Sequence, residues 1–272
     1  MLIAMSCIPA GDAMAKLLVQ HYAVPTTFIA WARFGVGFLL ILPFVNRRNF
    51  RLAGLMDWRV LLRGVLIGAA VSAILRGVAA EDLATVFGAF FIGPILSYFL
   101  SALVLGERIG AAQTALLFIG FCGVLLVVKP GFGMTPGVTF AALAGVLYGI
   151  YLTTGRWLSS ATPPMPLLFA QHLVVRGVLT PTGLPDTPEI GGAMGPLLLL
   201  SGLFSMLGNF LLLFAYRAGE ATRLAPFVYF QLVAATVLGL VIFGDLPDAL
   251  ALLGVLLLLA SGFASLALRR PA

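Results

Sequence analysis

Charge is the first thing this sequence lacks. Only 10% of its 272 residues are Asp, Glu, Lys or Arg, against 61% hydrophobic, and the mean hydropathy is +1.10. A soluble domain covers its surface with roughly 25% charged residues, so water is excluded as the solvent around most of this chain. A bilayer is not, because a lipid-facing surface needs no charge. Metal ligands and nucleophile motifs are scarce as well. There are two histidines and two cysteines, with no H-E-x-x-H and no G-x-S-x-G, which leaves a membrane-embedded enzyme or a metal centre without its parts. Cys7 and Cys122 both fall in apolar runs, which excludes a disulfide framework. The first apolar stretch lacks a basic segment before it and a small-residue cleavage site after it, and it contains Asp12 and Lys16. It reads as a retained helix, not a signal peptide.

Apolar runs fill the chain instead. Bounded by charges, prolines and glycines, they lie at 2–20, 26–45, 58–79, 83–104, 111–129, 135–156, 165–180, 196–217, 222–243 and 249–268. At roughly 20 residues per span, ten spans leave no room for a soluble domain. The seventh is the shortest. The net charge of +6 fits the excess of Lys and Arg in cytoplasmic loops and needs no nucleic acid. With the N-terminus inside, the inner loops and tail collect eleven arginines, Arg47, Arg59 and Arg63 among them. The outer side keeps only Arg76 and Lys129 at helix ends, and the loop holding Asp186 and Glu189 has no basic residue. Both termini are therefore expected in the cytoplasm.

A shift of 138 positions aligns the chain with itself. Gly106-Glu107 then meets Gly244-Asp245, and Asp82 meets Glu220, with Arg33 and Arg176 as a looser match at another offset. Each half holds five spans, and an odd number makes the halves face opposite ways. The expected fold is an all-α integral membrane protein of ten transmembrane helices in two five-helix inverted-topology repeats, residues 1–132 and 133–272.

One segment is more specific. From Leu75 to Gly131 it carries Pro94 in mid-helix, Leu105-Gly106-Glu107-Arg108, Gly120 and Gly123, then Lys129-Pro130-Gly131. With Asp12 to Lys16 in the first span and Arg33-Phe34 in the second, the chain resembles the EamA family of the drug/metabolite transporter superfamily. That resemblance implies ten spans, a central cavity, peripheral fifth and tenth helices, and transport of amino acids, S-adenosylmethionine, vitamins, nucleotide sugars or drugs, often outward. Two departures stand out. Asp245 occupies a position where Glu is common in the family, and the first span lacks an early Trp.

Ionisable residues inside a bilayer are costly and mark function by default. Asp12 and Lys16, four apart, share a helical face. Counting at 1.5 Å per residue places Asp12 near the midplane and puts Lys16 and Arg33 at matching depths, on the order of 10 Å below the outer surface. They can line a positive vestibule for an anionic group, with Arg76 and Arg176 nearer its mouth. Alternatively, Asp12 pairs with Lys16 or Arg33 and staples helices. Aromatic residues form the second candidate surface: Phe87, Phe90, Phe91, Pro94 and Tyr98 in the fourth span, Tyr148 and Tyr151 in the sixth, and Pro226, Tyr229 and Phe230 in the ninth. Their prolines can bend the repeat-related helices, and interrupted helices are where transporter sites gather; the plainer alternative is ring packing. His172 with Gln171 reads as an interhelical hydrogen bond, and Glu107 and Asp245 as caps.

The expected activity is an inner-membrane secondary carrier that exports amino acids or related amphipathic metabolites by alternating access, with other metabolites of the same family as the alternative. A channel would favour rings of like residues, which are absent. The partners expected are a small-molecule substrate and the lipid bilayer, with no cofactor, metal or nucleic acid.

Overall fold

A bilayer core offers no water to backbone N–H and C=O groups, so a spanning segment must satisfy them internally. The computed structural model describes residues 1–44, 57–106, 110–130, 133–159, 164–218 and 228–267, and among them every regular element is helical. In chain order these are α1 (Leu2–Tyr22), α2 (Thr26–Ile41, continued by the 3-10 turn Leu42–Phe44), α3 (Trp58–Ala80), α4 (Leu83–Phe90), α5 (Ile92–Leu105), α6 (Ala111–Val128), α7 (Pro136–Ser159), α8 (Pro164–Gly183), α9 (Met194–Ala218), α10 (Phe230–Leu238, continued by the π turn Gly239–Phe243) and α11 (Ala249–Ala267). Among the described residues, seven stretches are long and apolar enough to cross a membrane, with Phe230–Phe243 and Ala249–Ser265 as shorter apolar helices. The protein is an all-helical membrane protein.

The seventh span needs correction, and the fourth shows where its proline acts. The seventh span is not short: α8 has 20 residues. Prolines were read as its limits, yet Pro164 and Pro166 sit in the first turn, where a missing N–H is harmless, and Pro181 lies near the end. The fourth span is not continuous. It breaks at Phe91, between α4 and α5, because Pro94 has no N–H and its ring collides with the carbonyl four residues earlier. That carbonyl, on Phe90, lies against α7, where a Cβ on Gly145 would come within 2.5 Å of it.

Caps set the remaining boundaries. Asp57 accepts from the Arg59 N–H at 2.9 Å and Asp82 from the Thr85 N–H at 2.8 Å, each satisfying a donor that a helix start leaves free. Gly106 closes α5 at φ 67° and Gly244 closes the π turn at φ 69°, a left-handed conformation that glycine adopts without a Cβ clash. These two glycines are the pair that the 138-residue shift aligned.

The most extensive contacts are α3 on α7, α1 on α9, and α6 on α11. Along α2 and α8 the pairs are Trp31 with Arg176, Phe34 with His172 and Phe38 with Phe169. Numbers rise on one helix as they fall on the other, so these two are antiparallel. Phe87, Phe91, Leu232 and Leu258 are fully buried in the largest apolar cluster.

Candidate functional site

Two buried polar networks stand out among these helices. In the first, Arg33 of α2 donates through Nη1 to Asp12 Oδ1 of α1 at 2.6 Å, and through Nη2 to the Gly11 carbonyl at 2.9 Å and Ser201 Oγ of α9 at 3.0 Å. Ser201 in turn donates to the Gly11 carbonyl at 2.8 Å. All three side chains are at least 96% buried. Charge balances within this triad, and it ties three helices together. Of the alternatives left open by the sequence, the Asp12–Arg33 staple is the one formed.

In the second network, Arg63 of α3 donates to Gln171 Oε1 of α8 at 2.5 Å and to the Tyr151 hydroxyl of α7 at 2.6 Å. Tyr151 passes its own proton to the same Gln171 oxygen at 2.9 Å. The guanidinium carbon lies 4.3 Å from the Tyr151 ring centroid. Arg63 was expected in an inner loop. It instead lies in the second turn of α3 and is 9% exposed.

Lys16 does not pair with Asp12. Its ammonium meets Asp245 at 2.7 Å and the Glu81 carbonyl at 3.1 Å, 4.6 Å from the centre of the Phe243 ring. The expected vestibule shared by Lys16 and Arg33 is therefore not formed: each cation is buried against a different acid. Asp245, expected as a cap, joins α1 to the turn after α10. Glu81 accepts from Thr135, and Lys129 pairs with Asp248; the Lys129 hydrogen bond holds the Asp248 carboxyl below the usual carboxylate range. Arg76 stacks on Phe140 and Arg176 on Trp31, so both use aromatic faces.

The aromatic candidates divide. Phe90 lies 4.9 Å from Tyr148, and Tyr148 stacks on Tyr151 at 5.6 Å, forming a row that ends at Arg63. Phe87 meets Phe90 edge-on at 6.0 Å and is fully buried. Phe91 stacks on Tyr229 at 5.1 Å across the two halves. Pro94 acts through the break at Phe91. Tyr98 stands apart, on the far side of the break, its hydroxyl 3.3 Å from Thr114 of α6. Phe230 packs beside Met5 and Leu212. Pro226, Glu107 and Glu220 lie outside the described residues. His172 also departs from expectation: its Nδ1 meets the Leu168 carbonyl of its own helix at 2.8 Å.

Arg63, Gln171 and Ser201 had not been singled out as site residues, yet one signal could have found them. The 138-residue shift puts Arg33 on Gln171, Arg63 on Ser201 and Gly11 on Gly149, and brings Asp12 to within one position of Tyr151. The two networks occupy equivalent places in the two halves. Among the described residues, no group of three His, Cys, Asp or Glu is placed to hold a metal ion.

Comparison with known proteins gives the same picture. The model of the EamA-like transporter family matches residues 1–129 and again 135–266. A riboflavin transporter of Rhizobium johnstonii is 29% identical over 92% of this chain and 84% of its own. An S-adenosylmethionine uptake transporter of Rickettsia felis is 24% identical over 92% and 85%, and a pseudopaline exporter of Pseudomonas aeruginosa is 28% identical over 88% and 85%. A solved crystal structure superposes with a TM-score of 0.71 at 17% identity, covering 98% of this chain and 96% of that one; at that identity the likeness is one of fold.

Proposed function

This chain belongs to the EamA-like transporter family, and we propose that it carries an amphipathic metabolite with a planar ring across the inner membrane by alternating access between two inverted halves. It is a membrane transporter of a small molecule and not an enzyme. The observation that carries the inverted reading is a set of contacts. Phe34 with His172, Phe91 with Tyr229, and Gly120 with Leu258 each join residues 138 positions apart. A residue can touch its own repeat mate only beside the axis that exchanges the halves. Antiparallel packing of α2 on α8 turns that axis perpendicular to the helices, into the membrane plane, as inverted repeats require. The major contacts exchange in the same way: α3 on α7 becomes α9 on α1. Ten spans in two five-helix units, 1–132 and 133–272, follow from this reading.

The substrate class rests on the row Phe90, Tyr148, Tyr151, because aromatic faces stack on planar ligands. Aromatic amino acids are the first candidates, with export as the direction implied by the family resemblance. A vitamin or S-adenosylmethionine carrier is a second reading, favoured by the names of the relatives. Purified protein in liposomes, assayed for uptake and counterflow of radiolabelled tryptophan, riboflavin and S-adenosylmethionine, should move at least one. Absence of flux for every compound in that panel would remove the substrate assignment.

Topology has its own test. Single cysteines at Asn49 and Thr187, in a background without Cys7 and Cys122, should label from the cytoplasmic and external sides respectively. Labelling of both from one side would end the inverted ten-span model with both termini cytoplasmic.

A further inference from the structure

We propose that Arg63, positioned by Tyr151 and Gln171, is the binding site for an anionic group of the transported molecule, a carboxylate or phosphate carried on a planar ring. The proposal rests on the transport reading above and names the substrate chemistry of the aromatic row on which that reading stands. Arg63 is 9% exposed. Both of its hydrogen-bond partners, Gln171 and the Tyr151 hydroxyl, are neutral; its Nε has no partner, which is equally true of Arg33, so the difference between the two lies in the counterion. Among the described residues no carboxylate lies within ion-pair distance. A guanidinium does not deprotonate in proteins, so among the described residues a full positive charge is held inside the helix bundle by neutral acceptors alone.

The repeat supplies the control. Arg33 has the same three-helix setting in the other half, and there Asp12 balances it. The position equivalent to Arg63 is Ser201, a neutral residue that still ties its network together. A cation is therefore not needed at this place for helices to be joined, and an uncompensated one inside a membrane protein is costly. Lipid phosphate is a poor counterion for it, because a snorkelling side chain reaches out of the protein, whereas Arg63 is enclosed by α3, α7 and α8.

The aromatic row fixes what carries the anion. Phe90, Tyr148 and Tyr151 stand in sequence, with centroids 4.9 and 5.6 Å apart, and lead to the guanidinium. A planar ring packed beside this row would bring a substituent to Arg63, whose fork suits two-point binding of carboxylate or phosphate in a way that an ammonium does not.

The test uses the full chain purified in detergent and melted with two matched probe pairs: indole-3-propionate against indole-3-propionamide, and riboflavin 5′-phosphate against riboflavin. Within each pair the ring is constant and the anion is not. The expected result is that at least one anionic member stabilises the protein at a concentration about 10- to 100-fold lower than its neutral partner. Arg63→Gln should lose that preference, and Arg63→Lys, which keeps the charge and stands in if the glutamine variant does not fold, should lose most of it. If the wild type favours neither anionic member, or if both variants keep the preference, the proposal is overturned. Flux in liposomes is read separately. Anion preference without flux would remove the transport reading alone; flux without anion preference would remove this inference alone.

Discussion

The two polar triads occupy matching places in the two halves, and they differ by one carboxylate. Around Arg33 the acid is built in, as Asp12, and the charge is balanced. Around Arg63 the corresponding neighbours are a tyrosine and a glutamine, and the network carries a net positive charge. A duplicated fold thus provides two copies of one three-helix junction. One keeps its own counterion and serves as a staple; the other lacks one and is available to a ligand.

Breaking the closed triad should have the largest effect. Asp12→Asn turns it into a copy of the open one, leaving Arg33 buried without an acid. That change should destabilise the protein by about 3–5 kcal/mol, read as denaturant unfolding in detergent, whereas Arg63→Gln should cost little. A loss for Arg63→Gln as large as that for Asp12→Asn would erase the distinction. Next in size is the contact between the halves. A double-mutant cycle on Phe91→Leu and Tyr229→Leu should give a coupling of about 0.5–1.5 kcal/mol, and zero coupling would mean that the stack seen at 5.1 Å does not hold the halves together.

Smaller again is the pair Lys16–Asp245, since Asp245 is 39% exposed and water screens it. Its cycle should give roughly 0.2–1 kcal/mol, falling as salt is raised. The smallest effect belongs to Asp248, whose pKa the Lys129 hydrogen bond lowers. A group with a depressed folded pKa contributes stability above its unfolded value, about 3.9, and loses that contribution as pH falls through the folded one. Asp248→Asn should therefore reduce stability slightly at neutral pH and leave it unchanged at the acid end. A constant difference at all pH values would contradict that assignment.

Helix positions were legible in the sequence because a bilayer imposes one solution on the backbone, and apolar length reports it. The family, the transport role and the equivalence of Gly106 with Gly244 came from short motifs whose chemistry is local. What stayed hidden depended on which acid a buried cation reaches. Four-residue spacing offers Asp12 to Lys16 as readily as to Arg33, but Asp12 goes to Arg33, and Asp245, 229 positions away, is the acid Lys16 meets. Arg63 counts with the inner-side arginines in the sequence although the third span begins at 58, and its partners Gln171 and Tyr151, 108 and 88 positions away, are what tie it between buried helices. Tyr98 was placed with Phe87 and Phe91 by helical period, which the break at Phe91 interrupts. In each case the deciding contact is long-range.

The most direct measurement of the difference between the triads is the ligand-free melting temperature of Gln171→Glu. This substitution is isosteric and places an acid where Gln171 Oε1 already lies 2.5 Å from Arg63. If Arg63 waits for an anion, the new carboxylate should supply it, raising the melting temperature above wild type and removing any stabilisation by indole-3-propionate or riboflavin 5′-phosphate. A melting temperature below wild type, with the anion response intact, would show that the Arg63 network is already complete as it stands.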